Sequence, residues 1–238
     1  MKTSDYDSAC DVDQSLVDRL RRFPREPDML VYGMRALIAL IIRGWLRAYH
    51  RFEIIGHENL RTNRSLVIVA NHSSHLDTLC LLAALPLRKL HRAFPAAAAD
   101  YFFRSLPRSW FACVVMNALP FGRQWRVRES LALCRSLLAE PGNVLIIFPE
   151  GTRSRTGQLQ SFKPGIGALL AGCEVCVLPC YLEGAFRAWP KGRRLPRPRK
   201  VRLLIGPPRD FRREEDAAMV AAELREAVEA LRKTHGRC

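Results

Sequence analysis

A histidine and an aspartate five residues apart, His72 and Asp77, are the residues of this chain best suited to chemistry. His72 follows residues 66–70, an uncharged apolar run that predicts a fully buried strand, and residues 71–74 are turn and helix N-cap types. On one continuous helix, side chains five positions apart point about 140° away from each other. The two side chains can therefore meet only if His72 lies in the loop and Asp77 lies in the first turns of the following helix.

Such a pair would suit general-base catalysis. The helix dipole favours a carboxylate in the first turn, so Asp77 should stay ionised. If Asp77 accepts a hydrogen bond from one imidazole nitrogen of His72, the other nitrogen is free to take a proton. A histidine that only caps a helix has the same spacing, and the pattern alone leaves that alternative open.

A second polar block, residues 148–154 (Phe-Pro-Glu-Gly-Thr-Arg-Ser), follows another predicted buried strand. Gly151 has no Cβ, Thr152 offers a hydroxyl and Arg153 carries a permanent planar cation, a combination suited to an anion such as phosphate. A bare carboxylate beside phosphate would repel it. Glu150 is therefore expected to orient an arginine or a backbone amide.

Two further cations fit a phosphate site. Arg123 follows Gly122, where the backbone can approach a ligand closely, and its guanidinium could hold a phosphate through two parallel hydrogen bonds. Lys163 stands just before a predicted helix N-terminus, a favourable place for an anion. A solvated surface charge is an equally good interpretation of Lys163.

The blocks Asn71-His72-x-Ser74-x-x-Asp77 and Phe148–Ser154 together resemble the motifs of the glycerolipid acyltransferases, of which the 1-acylglycerol-3-phosphate acyltransferases are typical. Two weaker blocks resemble the remaining family motifs: Phe121-Gly-Arg123, whose arginine binds phosphate in the family, and Val177-Leu-Pro179. The order and spacing of the blocks match from about residue 50 to residue 206.

The resemblance implies fatty acyl transfer from acyl-CoA or acyl carrier protein to the hydroxyl of a lysophospholipid, most simply 1-acylglycerol-3-phosphate, in phospholipid biosynthesis. His72 would then take the proton of the acceptor hydroxyl while Asp77 holds the imidazole. Arg123 and Arg153 would anchor the acceptor phosphate. No cofactor is implied.

Three alternatives compete with this interpretation. The acceptor could be another lyso-lipid. A serine esterase could use Ser73 or Ser74 beside His72, although the chain has no G-x-S-x-G motif. A nucleic-acid-binding module would explain the formal net charge of +15, but the basic residues do not form one recognition helix, so no nucleic-acid partner is expected.

The charge and the cysteines narrow the possible partners only partly. The excess of 38 Lys and Arg over 23 Asp and Glu attracts phosphates of any origin, including lipid headgroups. Cys173, Cys176 and Cys180 lie on a predicted strand whose side chains alternate between faces, and no fourth ligand is near, so no metal site is expected.

Strands alternating with helices predict an α/β fold: one domain with a central, mostly parallel mixed sheet flanked by helices, over residues 51–238. An N-terminal amphipathic helical segment, residues 1–50, precedes it. Residues 113–118 are also interpreted as a strand.

Within the N-terminal segment, residues 29–50 predict a helix with a narrow basic stripe opposite a broad apolar face, typical of a helix in a membrane interface. The stripe consists of Tyr32, Arg35, Arg43, Arg47 and His50. We expect a peripheral or monotopic protein at the cytoplasmic face of a membrane, with no spanning helix because no run of about 20 residues is uninterruptedly apolar. Packing of the same helix on the domain's own core is the alternative.

Overall fold

The strand that precedes His72, Leu66–Ala70, lies in the middle of a seven-stranded sheet and is buried along its whole length. The computed structural model describes residues 29–98, 110–121, 127–171, 173–211 and 216–235. Because helices cover both faces of this strand, its sequence is an unbroken apolar run instead of an alternating one. The predicted α/β fold with a mostly parallel mixed sheet is confirmed.

The regular elements are numbered along the chain. The strands are β1 (Glu53–Ile55), β2 (Leu66–Ala70), β3 (Ala93–Ala98), β4 (Leu119–Phe121), β5 (Val144–Ile147), β6 (Cys176–Glu183) and β7 (Arg202–Ile205). The α-helices are α1 (Met29–His50), α2 (Asp77–Ala84), α3 (Val127–Ala139), α4 (Gly165–Leu170), α5 (Ala185–Ala188) and α6 (Ala217–His235). Short 3-10 helices cover His57–Leu60 and Leu87–Arg92, and a π-helical turn covers Phe111–Val115.

The order of strands in the sheet, β1-β7-β6-β2-β5-β3-β4, brings the two polar blocks to one edge. β2 pairs in parallel with β5 on one side and with β6 on the other. Parallel neighbours end at the same edge, so the loop after β2, which carries His72, lies beside the loop after β5, which carries residues 148–154. Only the pairing of β6 with β7 is antiparallel among the strand pairs of the described residues.

Two hydrophobic cores cover the two faces of the sheet. Leu66 and Ile68 of β2 point into the core beneath α1 and α2, whereas Val67 and Val69 point into the core beneath α3, α4 and α6. This alternation follows from the two-residue period of a strand. The alternation also determines to which side of the sheet the residues after Ala70 point.

The amphipathic pattern of α1 is present, and part of its polar stripe faces the domain. Arg35 and His50 of the predicted basic stripe are buried. Arg35 donates hydrogen bonds to the carbonyl oxygens of Val114 (2.9 Å) and Cys113 (3.1 Å), both of which lie in the π-helical turn. Arg35 therefore attaches the helix to the domain, as the alternative arrangement predicts, whereas Arg47 of the same stripe is exposed.

The opposite face of α1 is apolar and exposed. Leu30 is 84% exposed, Leu37 is 60% exposed and Ile41 is 63% exposed, and these positions recur at the helical period. By length and composition α1 is also long and apolar enough to cross a membrane, and the expectation that it does not span one stays a prediction. Leu46 packs in the domain core, as the second of the two predicted arrangements requires, and the membrane-interface arrangement stays a prediction.

The strand predicted over residues 113–118 is wrong. Residues 111–115 form the π-helical turn, and the strand begins only at Leu119. A short apolar run is compatible with a buried strand and with a buried helical turn, and its period cannot distinguish them. Asn117, two residues after the turn, has a φ of 52°, which is outside the strand region.

Candidate active site

His72 and Asp77 meet across the corner between β2 and α2. The Nδ1 atom of His72 donates to Oδ2 of Asp77 at 2.8 Å, and Asp77 is the first residue of α2 and fully buried. The backbone amides of Ser73 and Ser74 donate to the same oxygen at 2.7 and 2.8 Å. With its Nδ1 proton held by Asp77, the imidazole keeps Nε2 as an acceptor for a substrate proton.

The imidazole ring is held from its face as well as from its edge. It stacks on the ring of Phe148 with the centroids 4.1 Å apart and the planes 16° from parallel. The side chain of His72 remains 17% exposed, so a substrate atom can reach it. A ring fixed in this way needs little reorganisation when it accepts a proton.

The two motif blocks are joined through the backbone of His72. Its amide donates to Oε1 of Glu150 at 2.7 Å, and its carbonyl oxygen accepts from the amide of Ser154 at 2.7 Å. Oε2 of Glu150 accepts from the amide of Gln160 at 3.3 Å. Glu150 thus orients backbone amides, one of the two tasks predicted for it. Burial raises the pKa of its carboxyl to about 7, against the lowering effect of these two hydrogen bonds.

The next residue, Gly151, lets a lysine cross the loop. Gly151 has a φ of +73°, and a Cβ at this position would lie 2.8 Å from both Cε and Nζ of Lys163. Lys163 lies two residues before α4, as predicted, and its amide donates to the carbonyl oxygen of Pro149 at 3.0 Å. Thr152 is exposed on the same loop. Lys163 and the loop glycine are therefore in one cluster.

Arg153 is positioned by a second histidine of the first block. Its Nη1 atom lies 2.6 Å from Nδ1 and 2.7 Å from Nε2 of His75. Burial, and then the positive charge of Arg153, lower the pKa of His75 to about 4. The ring is neutral at physiological pH and has one acceptor nitrogen, so one of the two contacts is a hydrogen bond.

The structure therefore brings together five of the predicted site residues around the edge of the sheet: His72, Asp77, Glu150, Gly151 and Arg153. Lys163 approaches them across Gly151, and Thr152 lies on the same loop with its side chain exposed. Arg123, the remaining predicted residue, lies outside the described residues.

Sequence reasoning missed residues whose partners are distant in the chain. Asn71 joins β2 to β6: its side-chain oxygen accepts from the amide of Leu182 at 2.7 Å, and its nitrogen donates to the carbonyl oxygen of the same residue at 3.3 Å. The contact of His75 with Arg153 spans 78 positions. Asn71 could have been noticed, because a polar residue directly after a buried strand needs a partner.

The serines that an esterase could use as nucleophiles are not hydrogen-bonded to His72 in the described residues. The hydroxyl of Ser74 donates to the carbonyl oxygen of Trp189 at 2.8 Å and accepts from the amide of Leu76 at 3.1 Å. Among the contacts of the described residues, neither Ser73 nor Ser74 has its hydroxyl hydrogen-bonded to His72. The geometry gives no activated serine.

An apolar cavity of about 190 Å³ opens beside the histidine. His72, Phe148 and Gly151 line it, together with apolar residues that include Leu131 and Ile166. The cavity lies on the α3 and α4 side of the sheet. A substrate with an apolar chain could place that chain here with its reacting end at His72.

Comparison with known proteins agrees with this geometry. Residues 51–183, more than half of the chain, match the model of the Acyltransferase family. The chloroplastic 1-acyl-sn-glycerol-3-phosphate acyltransferase of Arabidopsis thaliana is 33% identical over 147 residues, covering 60% of this chain and 39% of that protein. The 1-acyl-sn-glycerol-3-phosphate acyltransferase beta of Homo sapiens is 32% identical over 168 residues, covering 63% of this chain and 55% of that protein.

A solved structure extends the likeness to the whole fold. The crystal structure of the 1-acyl-sn-glycerophosphate acyltransferase from Thermotoga maritima matches with a TM-score of 0.67 and 26% identity, covering 87% of this chain and 80% of that chain. The chain spans between two fifths and just over half of the length of the two curated relatives described above. The family match contains the His72–Asp77 pair and the loop of Glu150 and Arg153, and the chain therefore belongs to the Acyltransferase family.

Proposed function

We propose that this protein transfers a fatty acyl group from an acyl thioester, acyl-CoA or acyl carrier protein, to the free hydroxyl of a lysophospholipid. The best candidate for the acceptor is 1-acylglycerol-3-phosphate, for which the similar acyltransferases described above are named. The observation that carries the proposal is the placement of His72, held by Asp77, between an apolar cavity and a loop that presents Arg153.

The reaction needs one base and no covalent enzyme intermediate. Nε2 of His72 takes the proton of the acceptor hydroxyl as its oxygen attacks the thioester carbonyl carbon. The tetrahedral intermediate then collapses, the C–S bond breaks, and the sulfur leaves as a thiol with the proton that His72 has carried. The products are an ester and a free thiol, and His72 returns to its neutral form.

Asp77 supports this step by its charge and by its position. It holds the Nδ1 proton, so the correct nitrogen of His72 faces the substrate, and it stabilises the imidazolium that forms in the transition state. The amides of Ser73 and Ser74 fix the carboxylate oxygen and prevent it from rotating away.

The acceptor phosphate is anchored by cations on the neighbouring loop. Arg153 presents a planar guanidinium held by His75, and Lys163 places its ammonium group over Gly151. Arg123 would join them, as the family resemblance implies. Together these residues would decide which hydroxyl meets His72.

The exposed face of α1 supports a membrane location. Burying a fully exposed Leu or Ile side chain away from water is favourable by about 1.5–3 kcal/mol, and α1 presents several such side chains in one stripe. A helix that attaches to the domain by its polar side and exposes its apolar side would hold the active site near the bilayer that contains a lyso-lipid. We place the protein at the cytoplasmic face, where thioester donors are available.

The acceptor can be tested with a panel of lyso-lipids offered with acyl-CoA and read by mass spectrometry. We expect acylation of 1-acylglycerol-3-phosphate and much weaker acylation of a monoacylglycerol, which lacks the phosphate. Arg153→Gln should raise KM for the phosphorylated acceptor and leave KM for the acyl-CoA unchanged. Arg155→Gln, an exposed arginine two residues along, is the matched control. Equal rates with both acceptors would contradict the phosphate role of Arg153.

A further inference from the structure

A second cavity, of about 590 Å³, lies away from His72 and is lined by cations. Its charged lining consists of Arg43, Arg47, Arg61, Arg88 and Lys89. None of its lining residues in the described part of the chain is an Asp or a Glu. Such a surplus of one charge, partly enclosed, is suited to binding an anion.

The cavity lies at the edge of the sheet opposite the active site. The residues at the end of α2, Ala83 and Ala84, line it, whereas Asp77 begins the same helix about 10 Å away at 1.5 Å per residue. Thr62 and Asn63, which precede β2, also line it, whereas His72 follows β2. A ligand in this cavity would therefore not be the acceptor phosphate at Arg153.

In the part of the chain that the structure describes, the cations in the cavity have no carboxylate partner. Among the ion pairs of the described residues, none involves any of the five. Arg43 donates to the carbonyl oxygen of Leu85, but its Nε atom is buried without a hydrogen-bond partner in the described part of the chain. A guanidinium in this state is more stable when an anion accepts from it.

Like charges are also crowded together. Burial lowers the pKa of Arg43, and the charge of Arg47, one helical turn away, lowers it further. Burial and the neighbouring Arg88 lower the pKa of Lys89 in the same way. One shared anion would offset the repulsion within each of these two pairs of cations, and it would supply hydrogen-bond acceptors to them.

The position of Arg47 indicates where the anion comes from. Arg47 lies seven residues after Leu40, so the two side chains point to nearly the same side of α1, about 20° apart at 100° per residue. Leu40 is 51% exposed and lies at the border between the polar stripe and the apolar face proposed to enter the membrane. A lipid whose chains run along that face would bring its headgroup to Arg47 and into the cavity.

We propose that this cavity binds the phosphate headgroup of an anionic phospholipid of the membrane, at a site separate from the acceptor site. The inference rests on the membrane location proposed above. The bound lipid would fix α1 against the bilayer through a specific contact, in addition to the burial of its apolar face.

The test is vesicle flotation of the full chain with phosphatidylcholine alone or with phosphatidylcholine and phosphatidylglycerol. Arg61→Ala/Arg88→Ala removes two cavity cations outside α1. Lys191→Ala/Arg194→Ala removes two exposed cations from the loop after α5 and is the matched control. A cation near an anionic membrane strengthens binding about fivefold, so the cavity variant should lose roughly 25-fold of its preference for anionic vesicles.

The same variants separate this inference from the proposed function. Binding of the cavity variant to phosphatidylcholine vesicles, and its acyl transfer in neutral detergent micelles, should equal those of the wild type. Arg61→Lys/Arg88→Lys should restore the preference, which excludes a folding defect. Absence of acyl transfer by the wild type would instead contradict the proposed function, and it would not affect the evidence for the lipid site.

Three results would overturn the proposal. One is an equal loss of preference in the cavity variant and in the loop control, which would indicate general surface attraction. Another is a cavity variant that binds anionic vesicles like the wild type. The third is displacement of the wild type from anionic vesicles by low concentrations of soluble glycerol phosphate or inorganic phosphate, which would indicate that the cavity takes a free phosphate compound.

Discussion

Replacing Asp77 with asparagine removes one charge from the site and leaves its shape in place. The amides of Ser73 and Ser74 donate to Oδ2, so the side-chain oxygen of the asparagine will occupy that position and still accept from Nδ1 of His72. The tautomer of His72 is retained, and only the stabilisation of its protonated form is lost. Asp77→Asn therefore isolates the contribution of the charge.

The size of the effect follows from the distance between the two groups. Nδ1 and Oδ2 are 2.8 Å apart, and the carboxylate is fully buried. Two unit charges centred about 4 Å apart interact by roughly 4 kcal/mol at an effective dielectric constant of 20. If this energy is realised only when the imidazolium forms, its loss slows the reaction by about 10³-fold.

The assay is thiol release from acyl-CoA at saturating lyso-lipid, measured with purified Asp77→Asn, His72→Ala and the double variant. Residues that act as a unit are not additive, so the double variant should be no slower than His72→Ala alone. Asp210→Asn, which removes an exposed carboxylate paired with Arg64, is the control and should keep the wild-type rate. A wild-type rate for Asp77→Asn, or losses that multiply in the double variant, would refute the reasoning.

Three further predictions concern the supporting residues. Burial raises the pKa of Glu150 to about 7 from its usual 4.5, so wild-type stability should fall as the pH rises between these values, and Glu150→Gln should abolish that fall in thermal unfolding. If the stability of Glu150→Gln depended on pH as steeply as that of the wild type, this prediction would be contradicted. Gly151→Ala should destabilise the fold by about 1–2 kcal/mol because of its φ of +73° and should raise KM for the acceptor by displacing Lys163; unaltered denaturant midpoint and KM would contradict it. His75→Phe should release Arg153 and so raise KM for the acceptor with little change in kcat. His75→Gln should restore that KM, because its amide can still accept from Arg153. Equal KM values for the two variants would exclude a role of His75 in positioning Arg153.

The His72–Asp77 pair could be predicted because its geometry is local. A buried strand, a turn and a helix N-terminus within twelve residues determine which side chains can meet, and the expected break between His72 and Asp77 is present. The parallel sheet also brings the loop of Glu150 beside His72, as the alternation of strands and helices implies. These features depend on period and on residue types, both of which are visible in the sequence.

The parts that could not be predicted depend on contacts between distant residues. The hydrogen bonds of Arg35 to residues 113–114 hold part of the polar stripe of α1 against the domain, and the sequence does not indicate whether a stripe faces water, lipid or protein. The same contacts accompany the π-helical turn at Phe111–Val115, where a strand was expected. The pairing of His75 with Arg153 is equally non-local.

The central claim is that His72 acts as the general base of acyl transfer, and it is tested most directly by the turnover of purified His72→Gln with acyl-CoA and 1-acylglycerol-3-phosphate. Glutamine fills much of the same space but cannot take a proton. The predicted result is a rate lower by about 10²–10⁴-fold with thermal unfolding like that of the wild type. A variant that forms the diacyl product at the wild-type rate would contradict the account.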